Sequence, residues 1–496
     1  MPIYWGDIHN HCGISYGYGS LENALANAQK QLHFCAVTGH AMWPDMPRDR
    51  ENFGFVIDFH EKGFAKLAAQ WDKVQETVEK ANRPGDFVTF HSYEMHSSEF
   101  GDHHVLSPKP CPILNEKGPA ELYEKLQPYG AMLIPHHVAY RQGYRGINWS
   151  AYDPARGPVV EVFSKHGCGM MDRAPYNYLH TMGPRDSRST VVHGLNSGKR
   201  FGFTGSTDHH AGFPGSYGDG RVAVMADRLT RTAIIKALRA RRCYCCTGDK
   251  IALDFRVGDA PFGRETDLKG PRPIRFSLRG ADAFERVVVY KNGVPWRWFS
   301  ALDLARAVEP KRYKVRFELG WGRSEESYAW NVGVRIKNGR LLGVEPCFRG
   351  RSILAPKPGD PDLSDVNKLD NAIETKTADA IAWRCESFAN LSTQHSATSA
   401  MILEIEGDDA TELACEVNAQ QFTHALGDLK QGGFVHYEQP FASEAIVVHR
   451  AVPESEYVVS AEVTDDTDLS PGDFYFLEAI QFNGQAAWAS PVWITE

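Results

Sequence analysis

Short apolar runs alternate with amphipathic segments along the first half of this 496-residue chain. The runs HFCAVTGH, DFVTFHSYE, AMLIPHH, VVEVFSKHG and RFGFTGSTDHH each predict a short buried strand. Between them, the segments SLENALANAQKQ, HEKGFAKLAAQWDKVQETVEKA and GPAELYEKLQPYG predict amphipathic helices. Strands that alternate with helices indicate a parallel sheet, either doubly wound or closed as an α/β barrel.

The pattern changes at about residue 250, where short alternating strands are separated by Gly, Asn and Asp turns. The strands are PIRFSLRG, FERVVVYKNG, YKVRFELGW, AWNVGVRIKNGR, SAMILEIEG, EAIVVHR, EYVVSAEVT and DFYFLEAIQFNG. This pattern is typical of antiparallel β-sandwich modules. Because the second and last of these strands look like neighbours in one sheet, we predict an α/β unit over 1–250 and a β-sandwich from 251–310 with 440–496. Residues 311–439 then form an inserted second β module, with a long loop at APKPGDPDLSD (355–365).

The composition limits the partners that the chain can have. The net charge is −8 and no Lys/Arg-rich run occurs, so neither nucleic acid nor a membrane is an expected partner. The sequence has no run of about 18 apolar residues and no signal-peptide pattern. The ten cysteines never form a CxxC pair, which indicates reduced thiols. We expect a cytoplasmic protein that acts on a small or medium-sized substrate. Its β modules are expected to pack against the first half, extend the rim of the cleft or make homo-oligomer contacts.

Histidines are concentrated in the first half, where sixteen of the twenty precede residue 211. With Asp and Glu, they lie at the ends of predicted strands: Asp7, His9, His11, His40, Glu94, His103, His104, His136, His137, Glu161, Asp208, His209 and His210. One buried histidine is usually a hydrogen-bonded core residue, and an isolated HxH pair is usually the wet face of a strand. Seven strand ends that carry imidazoles and carboxylates predict instead a polynuclear site for Zn, Mn or Fe ions.

The motifs GDIHNH, AVTGH, the Glu94 segment, LIPHH and GSTDHH, in that order, resemble those of the PHP (polymerase and histidinol phosphatase) superfamily. The resemblance covers about residues 1–250 and implies a distorted (β/α)7 PHP-type barrel with two or three divalent metal ions. The stretch FYFLEAIQFNGQAAWASPVWI resembles the closing strands of a PHP-containing group known as DUF3604, which implies the architecture and no particular substrate.

The resemblance also implies a ligand set. It places one ion on His9, His11, Glu94 and Asp208. Glu94 bridges to a second ion on His104 and His136, and a third position faces His40 and His210. Within the HH pairs, His103 remains an alternative to His104, and His137 an alternative to His136.

Two positions depart from the resembled pattern. Gly39 precedes His40 where the family often has Asp. Ser15, Tyr16 and Gly17 stand where the family often has a further histidine after the HxH pair. Both departures affect the third metal position, so a weak third site, or one completed by other histidines, is expected.

The predicted metal centre indicates hydrolysis. Two ions about 3.5–4 Å apart lower the pKa of a bridging water towards neutrality and stabilise the oxyanion formed on attack. Phosphate esters are the commonest substrates in the resembled superfamily, so the chain is predicted to be a metal-dependent phosphoesterase with an anionic substrate. Such a substrate needs further cations, for which the candidates are Arg141, Arg145, Lys165, Arg185 and Arg188. Glu161 is a candidate ligand, histidine orienter or general acid/base, and His166 a candidate proton donor to the leaving group.

Two alternatives stay open. The same site could cleave an amide, lactone or carboxylic ester, because a dinuclear centre polarises a carbonyl as readily as a phosphoryl group. Alternatively, the first half is a degenerate metal-binding scaffold and the β modules bind a ligand, glycan or partner, which Gly39 in place of Asp favours. No GxSxG, GxxxxGK[ST] or strand-following GxGxxG motif occurs, so serine hydrolases, P-loop enzymes and dinucleotide oxidoreductases lose support.

Overall fold

The computed structural model describes residues 1–178, 182–304, 310–322, 327–353, 356, 365–389, 397–441 and 443–495. The strands of the first half are Ile3–Asp7 (β1), Phe34–Ala36 (β2), Gly39–Met42 (β3), Val88–Met95 (β4), Asp102–Ser107 (β5), Met132–His136 (β6), Val159–Ser164 (β7), Gly167–Cys168 (β8), Gly202–Gly205 (β9), Arg221–Met225 (β10) and Cys243–Cys246 (β11). Its helices are Leu21–Gln29 (α1), Arg50–Ala81 (α2), Pro119–Leu126 (α3), Val191–Asn196 (α4) and Arg231–Arg239 (α5). Every strand and helix predicted in this half is confirmed.

Helix boundaries in this half follow from side-chain caps. Ser20 Oγ accepts a hydrogen bond from Asn23 N at 3.1 Å, and Asp49 caps the start of the long helix α2. Thr230 caps α5 in the same way. The apolar side chains of α1 and α2 are buried in one core with β2 and β4, which fixes the helices against the sheet that carries the histidines.

The sheet of the first half is mixed rather than uniformly parallel. The pairs β1–β2, β2–β4, β3–β4 and β7–β9 are parallel, as predicted. The pairs β4–β5, β5–β6, β1–β10 and β10–β11 are antiparallel. The physical reason for the turn from β4 to β5 is chain length, since the segment from Met95 to Asp102 is too short for a parallel crossover, which needs about a dozen residues.

The strands of the first half belong to two sheets. A 14-stranded sheet contains the order β11-β10-β1-β2-β4-β5-β6, and β8-β7-β9 forms a separate three-stranded sheet. Strands β6 and β7 lie beside each other, as do β9 and β11, without ladder hydrogen bonds among the described residues. A closed hydrogen-bonded barrel is therefore not seen in the described part of the chain.

The rest of the chain is rich in antiparallel strands, as predicted. They are Ala252–Val257 (β12), Ala260–Pro261 (β13), Glu265–Thr266 (β14), Arg272–Arg279 (β15), Phe284–Lys291 (β16), Val294–Ser300 (β17), Arg312–Gly320 (β18), Tyr328–Lys337 (β19), Arg340–Cys347 (β20), Ala372–Lys376 (β21), Ala380–Ser387 (β22), Ser399–Glu406 (β23), Glu412–Val417 (β24), Gln420–Ala425 (β25), Phe434–Tyr437 (β26), Ala445–Val448 (β27), Val452–Pro453 (β28), Val458–Asp465 (β29), Phe474–Gln481 (β30), Ala486–Ala489 (β31) and Val492–Ile494 (β32). Short helices lie at Ala301–Leu304 (α6), Leu426–Leu429 (α7) and Glu454–Tyr457 (α8). The loop predicted at 355–365 falls almost entirely outside the described residues.

These strands enclose two apolar cores. The six-stranded sheet containing β18, β20 and β23 packs on the five-stranded sheet containing β19, β22 and β24, with Trp330 and Trp383 fully buried between them. In the second core, β12, β15 and β29 face β16 and β30. Strand β16 pairs with β30, and β31 pairs with β11, so the closing strands continue the large sheet of the first half.

A buried ion pair holds the second of these cores at one end. Arg272, 3% exposed, contacts the Asp473 carboxylate and donates to Tyr475 Oη at 2.8 Å. We expect Arg272→Met to lower the free energy of unfolding by about 3 kcal/mol, because it removes the nearest cation from a buried carboxylate and leaves Lys291 Nζ 3.8 Å away. Urea unfolding followed by tryptophan fluorescence measures this effect. Arg275→Met, on the same strand but in an exposed pair with Asp259, should cost less than about 1 kcal/mol, and equal losses in both variants would contradict the prediction.

Candidate metal centre

Asp7 joins the segment after β1 to the segment after β9. Its carboxylate accepts hydrogen bonds from Thr207 Oγ1 at 2.6 Å, Gly215 N at 2.8 Å and His9 N at 3.2 Å. Both oxygens are thus engaged with the two loops. Asp7 therefore fixes the two loops relative to each other, and its carboxylate is engaged with them rather than with the imidazoles of the cluster.

Backbone hydrogen bonds then align the two histidine motifs. Asp208 N donates to His9 O at 2.8 Å, and His11 N donates to His209 O at 2.8 Å. As a result the Asp208 carboxylate meets the His11 ring, with Oδ1 3.0 Å from Nε2. The alternation in GDIHNH directs the rings of both His9 and His11 to this point, where their Nε2 atoms are 3.2 Å apart.

Strand β5 places two further candidate ligands, Asp102 and His104, beside the cluster because it runs antiparallel to its neighbours. Its register places His104 opposite Glu94 and Asp102 opposite His136, so the amino end of β5 lies beside the carboxyl ends of β4 and β6. His104 Nδ1 is 3.2 Å from His136 Nδ1. The expectation that these residues come at the carboxyl ends of strands is therefore wrong for β5, where His104 lies near the amino end.

The Glu94 carboxylate lies at the middle of the centre, with its two oxygens facing different groups. Oε1 is 3.0 Å from His136 Nε2. Oε2 is 3.1 Å from His40 Nδ1, 3.4 Å from His11 Nε2 and 3.6 Å from His9 Nε2. A carboxylate whose oxygens face two separate imidazole groups has the arrangement needed to bridge two cations.

Three-residue groups with metal-ligand spacing recur around Glu94. In each group the candidate ligand atoms lie within 4.8 Å of one another, and all the residues are buried. The groups include His9 with His104 and His136, His11 with His40 and His210, His9 with His11 and Asp208, and His40 with Glu94 and His96. These clusters indicate divalent metal binding.

Distances and unsatisfied atoms both fit metal ions. Two nitrogens on one tetrahedral ion with bonds of about 2.0–2.1 Å lie about 3.4 Å apart. The Nε2 atoms of His40 and His210 are 3.2 Å apart, as are those of His9 and His11. His104 Nε2 and Glu94 Oε2 are buried without a hydrogen-bond partner among the described residues, and an unpaired buried acceptor is costly unless a cation occupies its lone pair.

The protonation states of most of these groups suit metal ligation. His9 differs: burial lowers the pKa of its ring, but the Glu161 and Asp208 carboxylates outweigh burial and raise this pKa well above the ordinary value. Burial raises the pKa of the Glu94 carboxyl, but nearby imidazoles, first that of His40, outweigh burial and hold this pKa well below the ordinary value. The pKa of Asp208 is likewise lowered, against burial, chiefly by His9. Burial lowers the pKa of several imidazoles, namely those of His40, His104, His137 and His210. Ionised carboxylates and neutral imidazoles are the ligand forms of these groups.

Backbone conformation at the centre is unusual. His137, Arg145 and Asp208 have φ angles of 53°, 62° and 50°, in the left-handed region that non-glycine residues rarely adopt. Each such residue costs about 1–3 kcal/mol unless its surroundings stabilise it, and such residues cluster at functional sites. His137 and Arg145 lie in the segment between β6 and β7, and Asp208 lies after β9; both segments meet at the same cluster.

Glu161 and His166, predicted as catalytic candidates, both reach the cluster. Glu161 Oε2 is 2.9 Å from His9 Nδ1, on the side of the ring opposite the other ligands. Of the three roles considered for Glu161, this position favours orienting His9. His166 Nε2 is 2.8 Å from Asp208 Oδ2, and its Nδ1 is 3.1 Å from Tyr140 Oη.

Only one of the predicted substrate cations contacts the centre in the described structure. The Arg145 guanidinium pairs with Asp102 and lies 4.0 Å from Glu94 Oε1, with 19% of its side chain exposed. Arg141 is exposed over the Tyr144 ring, and Arg188 is also exposed.

Lys165 and Arg185, the other predicted cations, are engaged elsewhere. Lys165 Nζ is 2.7 Å from Asp219 Oδ2 and donates to Ser352 Oγ at 3.0 Å. Arg185 Nε donates to Cys168 O at 2.8 Å.

The structure separates the members of two of the three HH pairs. His103 Nδ1 lies 2.9 Å from Gly101 O, and its ring lines a small cavity away from the cluster, so the position of His104 is the one compatible with ligation. His209 Nδ1 accepts a hydrogen bond from Ala211 N and is likewise turned aside. Both members of the other pair, His136 and His137, face the cluster.

The sequence interpretation missed His96 and Asp102 as site residues. His96 Nε2 is 3.1 Å from His40 Nδ1, and His96 Nδ1 is 2.9 Å from Asp102 Oδ2. Tyr16, in the region where the resembled pattern often has a further histidine, stacks on the His40 ring at 3.7 Å, and its hydroxyl lies 2.8 Å from His96 Nε2. The two-residue spacing of Glu94 and His96 on consecutive inward positions was the available signal.

Gly39 has a packing reason that is independent of metal binding. A Cβ atom at this position would lie 2.7 Å from Leu67 Cδ1 and 3.2 Å from Ile14 Cδ1, and such a contact forces a shift. Helix α2 therefore occupies the space that an aspartate side chain would need. The departure from the family pattern does not by itself indicate a degenerate site.

Glu161→Gln tests the orienting contact. The change removes the charge beside His9 Nδ1 and should lower metal affinity about 10–100-fold, because a carboxylate partner raises the basicity of the ligand ring and fixes its tautomer. Competition titration with a chromophoric chelator measures the change. Glu478→Gln, at a buried carboxylate bonded to Trp488 Nε1 in the closing strands, should leave affinity unchanged; a matching loss there would assign the effect to general destabilisation.

The curated proteins that match the chain are uncharacterised. No protein-family model matches the chain. An uncharacterised protein of Chlamydia pneumoniae is 26% identical over 247 residues, which cover 45% of this chain and 40% of that protein. Uncharacterised proteins of Chlamydia trachomatis serovar D and Chlamydia muridarum are 29% and 28% identical over 157 and 191 residues, covering 29% and 35% of this chain and 25% and 30% of those proteins. The chain thus spans less than half the length of these relatives.

A solved structure is also similar in part. It is a two-domain protein from Bacteroides vulgatus that contains a predicted PHP-like metal-dependent phosphoesterase, with 12% sequence identity and a TM-score of 0.34. The match covers 60% of this chain and 85% of that one. Separately, no helix among the described residues combines the length and apolar character needed to cross a bilayer.

Proposed function

We propose that the chain is a metal-dependent hydrolase of the PHP type, with a phosphoester as its substrate and the strands of its first half arranged as a distorted (β/α)7 barrel. One observation carries the proposal: the Glu94 carboxylate lies between two imidazole groups, with one oxygen towards His136 and the other towards His11 and His40. A buried carboxylate among so many imidazoles is costly without cations, whereas two bridged ions would satisfy all of these groups.

The ligand assignment follows the family resemblance and is supported in part by the clusters. We assign one ion to His9, His11, Glu94 and Asp208, of which His9, His11 and Asp208 form one cluster. We assign a second ion to His104, His136 and Glu94, of which His136 Nε2 lies 3.0 Å from Glu94 Oε1. His40 and His210 would hold a third ion through their Nε2 atoms, whereas His96 lies on the Nδ1 side of the His40 ring and groups there with Glu94. When bound, divalent ions supply an acidified water and Lewis-acid stabilisation of the negative charge that develops on the attacked group.

The protein's own side chains have separate roles in this scheme. Glu161 orients the His9 ring, leaving Nε2 for the centre. His166 bonds to Asp208 Oδ2 and to Tyr140 Oη and would give a proton to the leaving oxygen of the substrate. The Arg145 guanidinium, held by Asp102 and partly exposed, would bind an anionic oxygen of the substrate.

A second candidate function is hydrolysis of an amide, lactone or carboxylic ester. It is favoured by the small number of cations at the centre, where Arg145 is the one basic side chain of the predicted set that contacts the cluster. A phosphomonoester dianion would gain more from additional cations than a neutral carbonyl group would.

A substrate panel on the metal-loaded full chain tests the proposal. Phosphomonoesters and phosphodiesters should be hydrolysed, and Arg145→Met should reduce their kcat/KM about a hundredfold without changing metal content. Arg141→Met, at an exposed arginine, is the matched control and should change kcat/KM less than about twofold. Hydrolysis of carbonyl substrates alone would favour the second candidate, and a loaded protein that hydrolyses neither class would contradict a hydrolytic function.

A further inference from the structure

The loop that carries Asp208 and His210 packs against the segment of the chain that follows β20. His210 N donates to Ile353 O at 3.2 Å, and Lys165, which follows β7, donates to Ser352 Oγ at 3.0 Å. The next two carbonyls of the loop, those of Ala211 and Gly212, accept hydrogen bonds from two buried amide side chains. Residues far along the chain therefore complete the hydrogen bonding of a loop that holds candidate metal ligands.

Asn367 is the centre of this contact. It is 2% exposed, with a left-handed φ of 62°, and its Nδ2 donates to Ala211 O at 2.8 Å. Its Oδ1 accepts from Arg351 N at 2.5 Å, and its own carbonyl accepts from Asn27 Nδ2 at 2.8 Å. Asn27, on α1, also donates to Gly212 O at 3.1 Å.

Resting on the proposed function, we propose that Asn367 is a positioning residue for the metal centre, which makes the β region between residues 311 and 439 a part of that centre. Asp208 lies in a left-handed conformation that its surroundings must stabilise, and both carbonyls beyond His210 are bonded to Asn367 or Asn27. Removal of the Asn367 amide leaves the buried Ala211 carbonyl unpaired, so the loop would relax away from the position that aims Asp208 and His210.

The test uses Asn367→Gly, because glycine accepts the positive φ and so only the side-chain hydrogen bonds are lost. Cobalt(II) is titrated into the metal-stripped full chain, and its affinity and visible absorption spectrum are recorded. We expect about 10–100-fold weaker binding of at least one equivalent and a changed spectrum. Asn418→Gly is the matched control: Asn418 also has a positive φ, of 50°, but it bonds to Asn331 N in the same β region.

Asn367→Asp distinguishes the contribution of the amide oxygen from that of the amide NH2 group. It keeps the acceptor for Arg351 N but places an oxygen against Ala211 O, so it should weaken cobalt binding as much as glycine does. Wild-type affinity and spectrum in both Asn367 variants, or equal losses in Asn418→Gly, would overturn the positioning role while leaving the metal-dependent function intact. A wild-type chain that binds no cobalt(II) would contradict the metal-dependent function itself.

Discussion

His9→Ala/His11→Ala is expected to lose most of the metal that the wild-type chain binds. The wild-type chain, purified without chelator, should hold about two to three equivalents of Zn, Mn or Fe by elemental analysis, and the double variant less than about one. The reason is geometric: both rings belong to one group with Asp208, their Nε2 atoms are 3.2 Å apart, and these atoms lie 3.6 Å and 3.4 Å from Glu94 Oε2. Removing both rings therefore takes a candidate ligand from each of the groups that contain His9 or His11.

The chain offers a matched control for this variant. His424 and His436 also form a close pair, with Nε2 atoms 2.9 Å apart, but they lie on β25 and β26. His424→Ala/His436→Ala should retain the metal content of the wild-type chain. A wild-type protein that stays metal-free when offered these ions, or equal losses from both double variants, would contradict a metal centre at the His9 and His11 cluster.

Most of the elements could be predicted because each has a local cause. Period-two alternation in strands such as β15 and β18 reflects one buried face per strand, and the amphipathic period of α1 reflects one face on the sheet. The run Cys243–Cys246, which is β11, is instead buried at every position. The mixture of parallel and antiparallel pairs was not predictable from periodicity, because the direction of a strand depends on the length and path of the segment that connects it to its neighbour.

The candidate site was predictable to the extent that ligand types follow strands. His9, His11, Glu94 and His136 lie in or directly after strands, and the structure brings them together. Asp102 was missed because β5 runs antiparallel, so its amino end faces the centre. The substrate cations were predicted less well, because side chains on loops such as that of Arg141 have no periodic constraint that fixes their direction.

Glu94→Gln should have the largest effect of any single substitution. An amide presents one acceptor and one donor, so it cannot offer an oxygen to each of two ions, and its NH2 group would face imidazole nitrogens or a cation. We expect at least one metal equivalent to be lost and kcat/KM on the best substrate to fall at least about a thousandfold, which corresponds to about 4 kcal/mol of transition-state stabilisation. Elemental analysis and steady-state kinetics on the same preparation measure both effects.

The control for Glu94→Gln is Glu478→Gln, since Glu478 is also buried, at 3% exposure, but bonds to Trp488 and Tyr290 among the closing strands. This control should keep both metal content and activity. Burial raises the pKa of Glu478, whereas the imidazoles around Glu94 hold its pKa well below the ordinary value against burial. A neutral isostere is therefore a small change at Glu478 and a large one at Glu94, and full metal occupancy with full activity in Glu94→Gln would rule out a bridging role for this carboxylate.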